Sequence, residues 1–347
     1  MSEGWSLTES DPALFTSLLH ELGVTGLEVS ELYSLDSALL ASLQPIYALI
    51  FLFKYVDTSS QAQSGDAPSN TGTAKEDVNF YFAHQVINNA CATLALLNAA
   101  MNIQGGSKVA GEEVQLGREL EELRSFSLGL DPNSRGWAVS NSEKIREVHN
   151  SFARSDPFEH RRDPDDEREK EDAYHFITYI PLEGELYELD GLKRTPVSHG
   201  SIPSESSWTD VAKDVIEKRI ASYGGDEINF NLMAICADQT NVLQKKIESA
   251  QHVLGSAAGG DTGTALAGDK QAEMQDLQSR LQQEFSKRDQ WAFENTLRRH
   301  NHLGLVHALL IALAKEGKLH DAVEDSKKTM QARNDKARRN KLATDLK

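Results

Sequence analysis

Cysteine is nearly absent from this chain: Cys91 and Cys236 are the two in 347 residues. Two cysteines build no disulfide framework, and neither has His or Cys companions at metal-ligand spacing. A reducing setting, cytoplasmic and nuclear, is therefore expected, with no metal and no cofactor. Long apolar runs are missing too. Ile46 to Phe53 is too short to span a bilayer, and the N-terminus has no signal-like pattern, so no membrane partner is expected. Positive charge is scarce overall. The net charge of −17 disfavours direct nucleic-acid binding. The exception is the end of the chain, where eight basic residues between Lys327 and Lys347 face only Asp335 and Asp345, giving +6 there and −23 before it.

What is present reads as a soluble α+β protein. Ser10-Asp11-Pro12 opens a helix, because Asp11 can cap it and Pro12 suits its first position. Phe15, Leu18, Leu19 and Leu22 line one face, and Gly23 ends it. A short helix over Leu35–Leu43 precedes Ile46–Lys54, an apolar, strand-forming run expected as a buried central strand. Further helices are expected over Glu112–Phe126, from Asn141-Ser142 onward, and over Trp208–Ala221. Ile228–Cys236 reads as a last core strand, with Cys236 as inert packing.

Three stretches break this grammar. Asp57–Asp77 is polar and small-residue-rich and reads as a surface loop. Ser151–Asp172 is nearly all charge towards its end and reads as a solvated insertion or a functional lid. Gly255–Gly268 reads as a linker between a helix over Val242–Leu254 and later helical stripes, Met274–Phe285 and Trp291–Ala314. The expected organisation is a catalytic domain over 1–238, a helix and flexible linker over 239–268, and a helical extension with a basic tail over 269–347.

The chemistry gathers around Gln85-Val-Ile-Asn-Asn-Ala-Cys91. Leu94, Leu97 and Met101 recur at helical spacing after it, so Cys91 stands at the start of a helix that Asn88 or Asn89 can cap. A thiol there sits at the positive end of the helix dipole, which favours the thiolate. Gln85, six residues earlier, could aim an amide N–H at an oxyanion. The competing reading is a cysteine buried for packing alone.

A second pattern favours chemistry. Ala173–Ile180 and Leu186–Asp190 form a hairpin signal around Glu183-Gly184. With those two as turn residues, cross-strand partners sum to about 367 in number, and His175 becomes a diagonal neighbour of Asp190 on one face. Cys91, His175 and Asp190 then make a nucleophile, a base and an orienter in chain order.

At these residues the chain resembles the ubiquitin C-terminal hydrolases. The resemblance rests on Gln85-x5-Cys91, on His175 in a Tyr-His-Phe strand, and on Leu186-Tyr-Glu-Leu-Asp-Gly-Leu192. It runs from Trp5–Pro12 through Cys236, and Gly136–Ser142, Val148–Arg154, Glu217–Ile220 and the C-terminal helical extension look like the longer, proteasome-associated subgroup. It implies a papain-like mixed sheet flanked by helices, knotted in the family, followed by an all-α C-terminal extension. It implies Cys91 as nucleophile, His175 as base, Asp190 as orienter and Gln85 as oxyanion donor. Trp5, Glu9, Ser10, Asp11 and Asn89 are implied substrate contacts, and Ser151–Asp172 a crossover loop over the substrate tail. The implied substrates are ubiquitin and its conjugates. Implied partners of the extension are a proteasomal ubiquitin receptor and a chromatin-remodelling subunit. Two alternatives stay open: a catalytically restrained ubiquitin-binding adaptor, and another Cys-His-Asp acyl enzyme of the transglutaminase or arylamine-acetyltransferase kind.

Overall fold

The structure is a computed structural model that describes residues 4–54, 72–76, 78–103, 114–153, 174–222, 230–257, 264–300 and 303–344. In chain order the elements are α1 (Pro12–Glu21), β1 (Leu27–Glu31), α2 (Ser37–Ser42), β2 (Ile46–Lys54), β3 (Thr73–Ala74), α3 (Cys91–Ile103), α4 (Arg118–Ser127), α5 (Pro132–Asn141) and α6 (Glu143–Ser151). They continue with β4 (Tyr174–Leu182), β5 (Glu185–Leu189), β6 (Val197–Ser201), α7 (Trp208–Ala221), β7 (Phe230–Ala237), α8 (Gln239–Ala257), α9 (Thr264–Arg299), α10 (Leu303–Lys315) and α11 (Leu319–Thr344).

A seven-stranded sheet runs in the order β1-β7-β2-β4-β5-β6-β3. Every strand pairing among the described residues is antiparallel, where the family resemblance implied a mixed sheet. Strand direction is carried by the long connections rather than by the apolar pattern, so residue composition alone leaves it open. β2 lies between β7 and β4 and is buried along most of its length, as its uninterrupted apolar run requires. Leu14, Leu18, Leu94, Leu97, Phe176 and Ile180 belong to one apolar core. Phe51, Phe53, Ile177, Tyr179, Ala212 and Ile216 belong to a second, which involves α7. The alternation of Phe176 and Ile180 with Ile177 and Tyr179 places the two cores on opposite faces of β4.

The hairpin forms with the expected turn. Glu183 (φ 51°) and Gly184 (φ 80°) are both left-handed, as a tight two-residue turn demands. Thr178 pairs with Leu189 and Leu182 with Glu185, the register read from the turn position. Asp11 caps α1 through the Ala13 and Leu14 N–H groups, and Asp131-Pro132 repeats that device for α5. No apolar stripe announces α5, because Gly136, Val139 and Ser140 are its buried residues. The helix expected over Glu112–Phe126 starts at Arg118 instead. Val114 and Leu116 are buried, and Gln115 forms a β-bridge with Thr25 in extended chain.

The Gly255–Gly268 linker is largely helical at both ends, with α8 reaching Ala257 and α9 starting at Thr264. α9 belongs to the first compact unit, which runs to Arg298, past the domain boundary expected from composition. The reason is a row of contacts along the helix. Leu277 packs with Leu243 and Ile247 of α8. Arg288 bonds Glu28 (2.9 Å) and Asp238 (2.7 Å), and Asn295 donates to the Ala13 carbonyl and Ser17 hydroxyl. Arg298 reaches Asp11 and Glu9. Residues from Arg299 onward form part of a second unit, in which α10 is the most apolar helix yet has no buried residue. No helix among the described residues is long and apolar enough to cross a membrane. The Ser151–Asp172 stretch lies outside the described residues from 154 on, and Asp57–Asp77 apart from 72–76.

Candidate active site

The site starts from a segment that is neither helix nor strand. From Phe80 to Gln85 the chain is extended, and side chains supply its hydrogen bonds. Asn102 of α3 accepts from the Tyr81 N–H (2.8 Å) and donates to its carbonyl (2.7 Å). One turn earlier, Asn98 does the same for Ala83 (2.9 and 3.1 Å). The alternate carbonyls, Phe80 and Phe82, accept from Arg135 of α5, which also sits over the Tyr81 ring. The period of two in the extended arm thus meets an i, i+4 amide pair on one side and a guanidinium on the other. The His84 N–H donates to the Pro132 carbonyl, and the Gln85 N–H to that of Gly191.

Two glycines permit this closeness. A Cβ on Gly136 would lie 2.2 Å from the His84 carbonyl oxygen, and one on Gly191 would lie 2.5 Å from Leu94 Cδ2 and 3.1 Å from the Gln85 nitrogen. The arm is therefore wedged between α5, α3 and the turn after β5. Gln85 Oε1 is buried without a partner among the described residues, which is costly unless something fills the site.

Cys91 begins α3 and is partly exposed. Asn89 was one of two expected caps. It is instead left-handed (φ 67°) and donates its amide to the Trp5 carbonyl at 3.0 Å. The Ala90 carbonyl accepts the first helical bond, from Leu94. Thr178 of β4 donates its hydroxyl to the Ala95 carbonyl at 2.8 Å, fixing α3 against the strand that carries His175.

His175 is buried on β4, and its Nε2 lies 2.7 Å from Asp190 Oδ1, the contact the hairpin arithmetic allowed. That leaves Nδ1 for other partners, and the Cys91 thiol is near enough to act on the imidazole. Burial opposes the imidazolium, but the hydrogen bonds and charges of Asp190 and Cys91 outweigh it and hold His175 up at about 9. Asp190 Oδ1 also accepts the Leu192 N–H. The Phe53 ring meets the imidazole edge-on, 5.8 Å between centroids.

Two residues before Asp190, Glu188 is buried against three bases. Lys193 lies at 2.5 Å, Arg219 at 2.9 Å and His199 at 3.1 Å. Arg219 also covers the Phe53 ring at 4.5 Å. Glu188 and Arg219 stand in two of the quoted motifs, Leu186–Leu192 and Glu217–Ile220, but their pairing was not expected. A buried acid between apolar strand residues was the available signal.

The remaining expected residues separate into two kinds. Trp5 is buried against the His149 ring (4.7 Å), and the Ser10 hydroxyl is buried. Glu9 and Asp11 keep partly exposed carboxylates, both engaged by Arg298. Cys236 is fully buried and its thiol is raised far above the usual range by burial, in keeping with inert packing. Among the described residues no group of three or more His, Cys, Asp or Glu could hold a metal ion.

A cysteine, a histidine held by a carboxylate, and an amide arm define a cysteine hydrolase acting by acyl transfer. Residues 5–221 match the family described as ubiquitin carboxyl-terminal hydrolase, family 1, and residues 274–319 match a second region described as ubiquitin carboxyl-terminal hydrolases. The chain is 39% identical over 342 residues to ubiquitin carboxyl-terminal hydrolase ubh-4 of Caenorhabditis elegans, covering 99% of this chain and 95% of that one. It is 35% identical over 350 residues to ubiquitin carboxyl-terminal hydrolase isozyme L5 of Dictyostelium discoideum, covering 94% and 96%. A crystal structure of Trichinella spiralis UCH37 bound to ubiquitin vinyl methyl ester superposes with a TM-score of 0.62 at 35% identity, over 83% of this chain and 99% of that one. The chain belongs to the ubiquitin carboxyl-terminal hydrolases, the thiol-dependent deubiquitinases of family 1.

Proposed function

We propose that Cys91 is the nucleophile of this deubiquitinase, His175 its acid–base and Asp190 the residue that orients the imidazole. The observation that carries the assignment is the buried His175–Asp190 contact at 2.7 Å, with the Cys91 thiol near enough to raise the imidazole. His175 takes the thiol proton, and the thiolate attacks the carbonyl carbon of the C-terminal glycine of ubiquitin. The Gln85 amide and the Cys91 N–H face the oxygen that becomes negative. His175 then gives its proton to the leaving amine, and the C–N bond breaks to leave a thioester. A water deprotonated by His175 attacks that thioester, the C–S bond breaks, and ubiquitin leaves with a free carboxylate. Glu9, Asp11 and Asn89 contribute to the ubiquitin-holding surface, while Trp5 and Ser10 support it from within.

A ubiquitin carrying an electrophile at its C-terminus tests the core of this. A covalent adduct should form with the wild type and vanish in Cys91→Ala. An adduct that persists in Cys91→Ala would falsify the assignment. In the same reading Gln85→Ala lowers turnover by about 10²-fold, the usual cost of losing one oxyanion donor.

The extension extends the proposal to partners and location. α10 presents Leu303, Leu305, Leu309 and Leu310 without a buried residue, and the chain beyond Lys327 is basic. These features suit docking on an acidic, helical partner, here a proteasomal ubiquitin receptor or a chromatin-remodelling subunit, in cytoplasm and nucleus. Removing residues after Lys318 should abolish receptor binding in a pull-down yet spare cleavage of a small ubiquitin C-terminal adduct. Unchanged receptor affinity after that truncation would refute the basic tail as part of the docking surface.

A further inference from the structure

Residues 4–8 form a short strap held on one side by two consecutive residues of α6. The Asn150 Oδ1 accepts both the N–H and the hydroxyl of Ser6 (3.0 Å each), and its Nδ2 donates to the Gly4 carbonyl (3.0 Å). The His149 Nε2 bonds the Ser6 carbonyl at 2.8 Å, and its Nδ1 faces the Thr93 hydroxyl at 2.8 Å. A neutral ring with its proton on Nε2 satisfies both contacts at once: Nε2–H donates to Ser6, and Nδ1 accepts from Thr93. His149 is 1% exposed, and burial pushes it towards that neutral form. The Trp5 ring packs on it, so the strap is fixed by backbone, side chain and ring contacts together.

Among the described residues the strap has one polar contact on its other side, and that contact leads to the reacting centre. The Trp5 carbonyl accepts the Asn89 amide. Asn89 holds a left-handed backbone, a conformation that asparagine adopts more readily than most non-glycine residues, and it lies two residues before Cys91. Its φ and ψ set the direction of the Ala90 N–H directly, and reach the Cys91 N–H through Ala90. A side-chain tether to a fixed carbonyl is a direct way to keep that conformation populated.

We infer that His149 and Asn150 are positioning residues, which act through the strap to hold Asn89 left-handed and so aim the Cys91 N–H at the oxyanion. The inference rests on the assignment of Cys91 as nucleophile and of its N–H as an oxyanion donor. It separates two properties of the site. Alkylation of the Cys91 thiolate by iodoacetamide needs the Cys91–His175 pair but no oxyanion donor, whereas thioester formation needs both.

The test uses the full chain with His149→Ala, His149→Gln and Asn150→Ala, a ubiquitin C-terminal fluorogenic amide, and iodoacetamide. His149→Ala and Asn150→Ala should lower kcat by about tenfold or more, since a misplacement of ~1 Å costs up to about 10²-fold. The alkylation rate should change less than about twofold. Glutamine at 149 offers an N–H to the Ser6 carbonyl and should recover most of kcat. Asn150 is the milder site, and its substitution keeps the test available where His149→Ala does not fold. A folded Asn150→Ala or His149→Ala enzyme with wild-type kcat overturns the inference. So does a fall in kcat matched by the alkylation rate, which would mean that the strap is a structural anchor only. Hydrolysis surviving in Cys91→Ala would instead overturn the nucleophile assignment, so the two failures are distinguishable.

Discussion

Replacing Glu188 by glutamine isolates the energetics of the buried cluster behind the catalytic pair. Glu188 is 1% exposed and contacts Lys193, Arg219 and His199 at 2.5, 2.9 and 3.1 Å. Breaking a buried ion pair costs about 3–5 kcal/mol when the partner charge stays buried. Here Lys193 can turn outward, and glutamine keeps one acceptor oxygen for Arg219. The expected loss is therefore about 2–4 kcal/mol, a large part of the ~5–15 kcal/mol that holds a typical domain.

The same substitution has a pH signature. Burial alone would raise the Glu188 carboxyl, but the His199 hydrogen bond and the Arg219 and Lys193 charges hold it well below the carboxylate range. A carboxyl lowered in the folded state stabilises fully above its ordinary value of 4.5 and loses that contribution as pH falls towards the folded value. Between pH 7 and pH 3 the wild type should lose about 2 kcal/mol that the variant never had, so the gap between them closes by that amount. Urea unfolding followed by fluorescence at both pH values, with equal m-values, measures it. A loss under ~1 kcal/mol at pH 7, or a gap that does not narrow on acidification, refutes the charge-cluster account.

The other predictions concern the catalytic pair and the arm. Because His175 is raised from 6.5 to about 9, kcat/KM should hold through neutrality and decline above about pH 9 as the imidazolium is lost. The attendant stabilisation is complete below 6.5 and lost as pH rises through about 9. Asp190→Asn removes the hydrogen-bonded charge and should move that alkaline limb downward by a unit or more; an unmoved limb in stopped-flow pH profiles contradicts the assignment. Gly136→Ala places a methyl 2.2 Å from the His84 oxygen, which should destabilise by about 1–3 kcal/mol and displace Gln85. Thermal melts and turnover on the same sample check it, and full turnover with a lowered melting point would separate the arm from catalysis.

Local patterns reveal the elements whose burial is regular. The apolar run of β2, the face of α1 and the residues of α7 all have their observed places in the sequence, and Glu183-Gly184 sets the β4–β5 register without any knowledge of the rest. The neighbourhood of His175 and Asp190 follows from that register. β1, β3 and β6 are too short or too polar to stand out, and the continuity of α9 depends on partners such as Glu28 and Asp238, distant in sequence. The same holds for Asn98, Asn102, Arg135 and His149. Each is a polar residue whose meaning depends on a backbone group elsewhere, so spacing within its own helix says little about it. Asn89 illustrates the limit. Its residue type suits a cap, but its Nδ2–H donates to the distant Trp5 carbonyl and its backbone is left-handed.

The amide pair on α3 has a mechanical consequence. The helix that begins with Cys91 also suspends Tyr81 and Ala83 from Asn98 and Asn102, so thiol and arm ride on a single chassis. A shift of α3 would carry both along with little change in their spacing. Tolerance in such a design is set by the rotamers of two asparagines. A swap of either for aspartate, nearly equal in volume, would turn an N–H donor into a repelled oxygen and let the arm drift while the fold around it stayed intact.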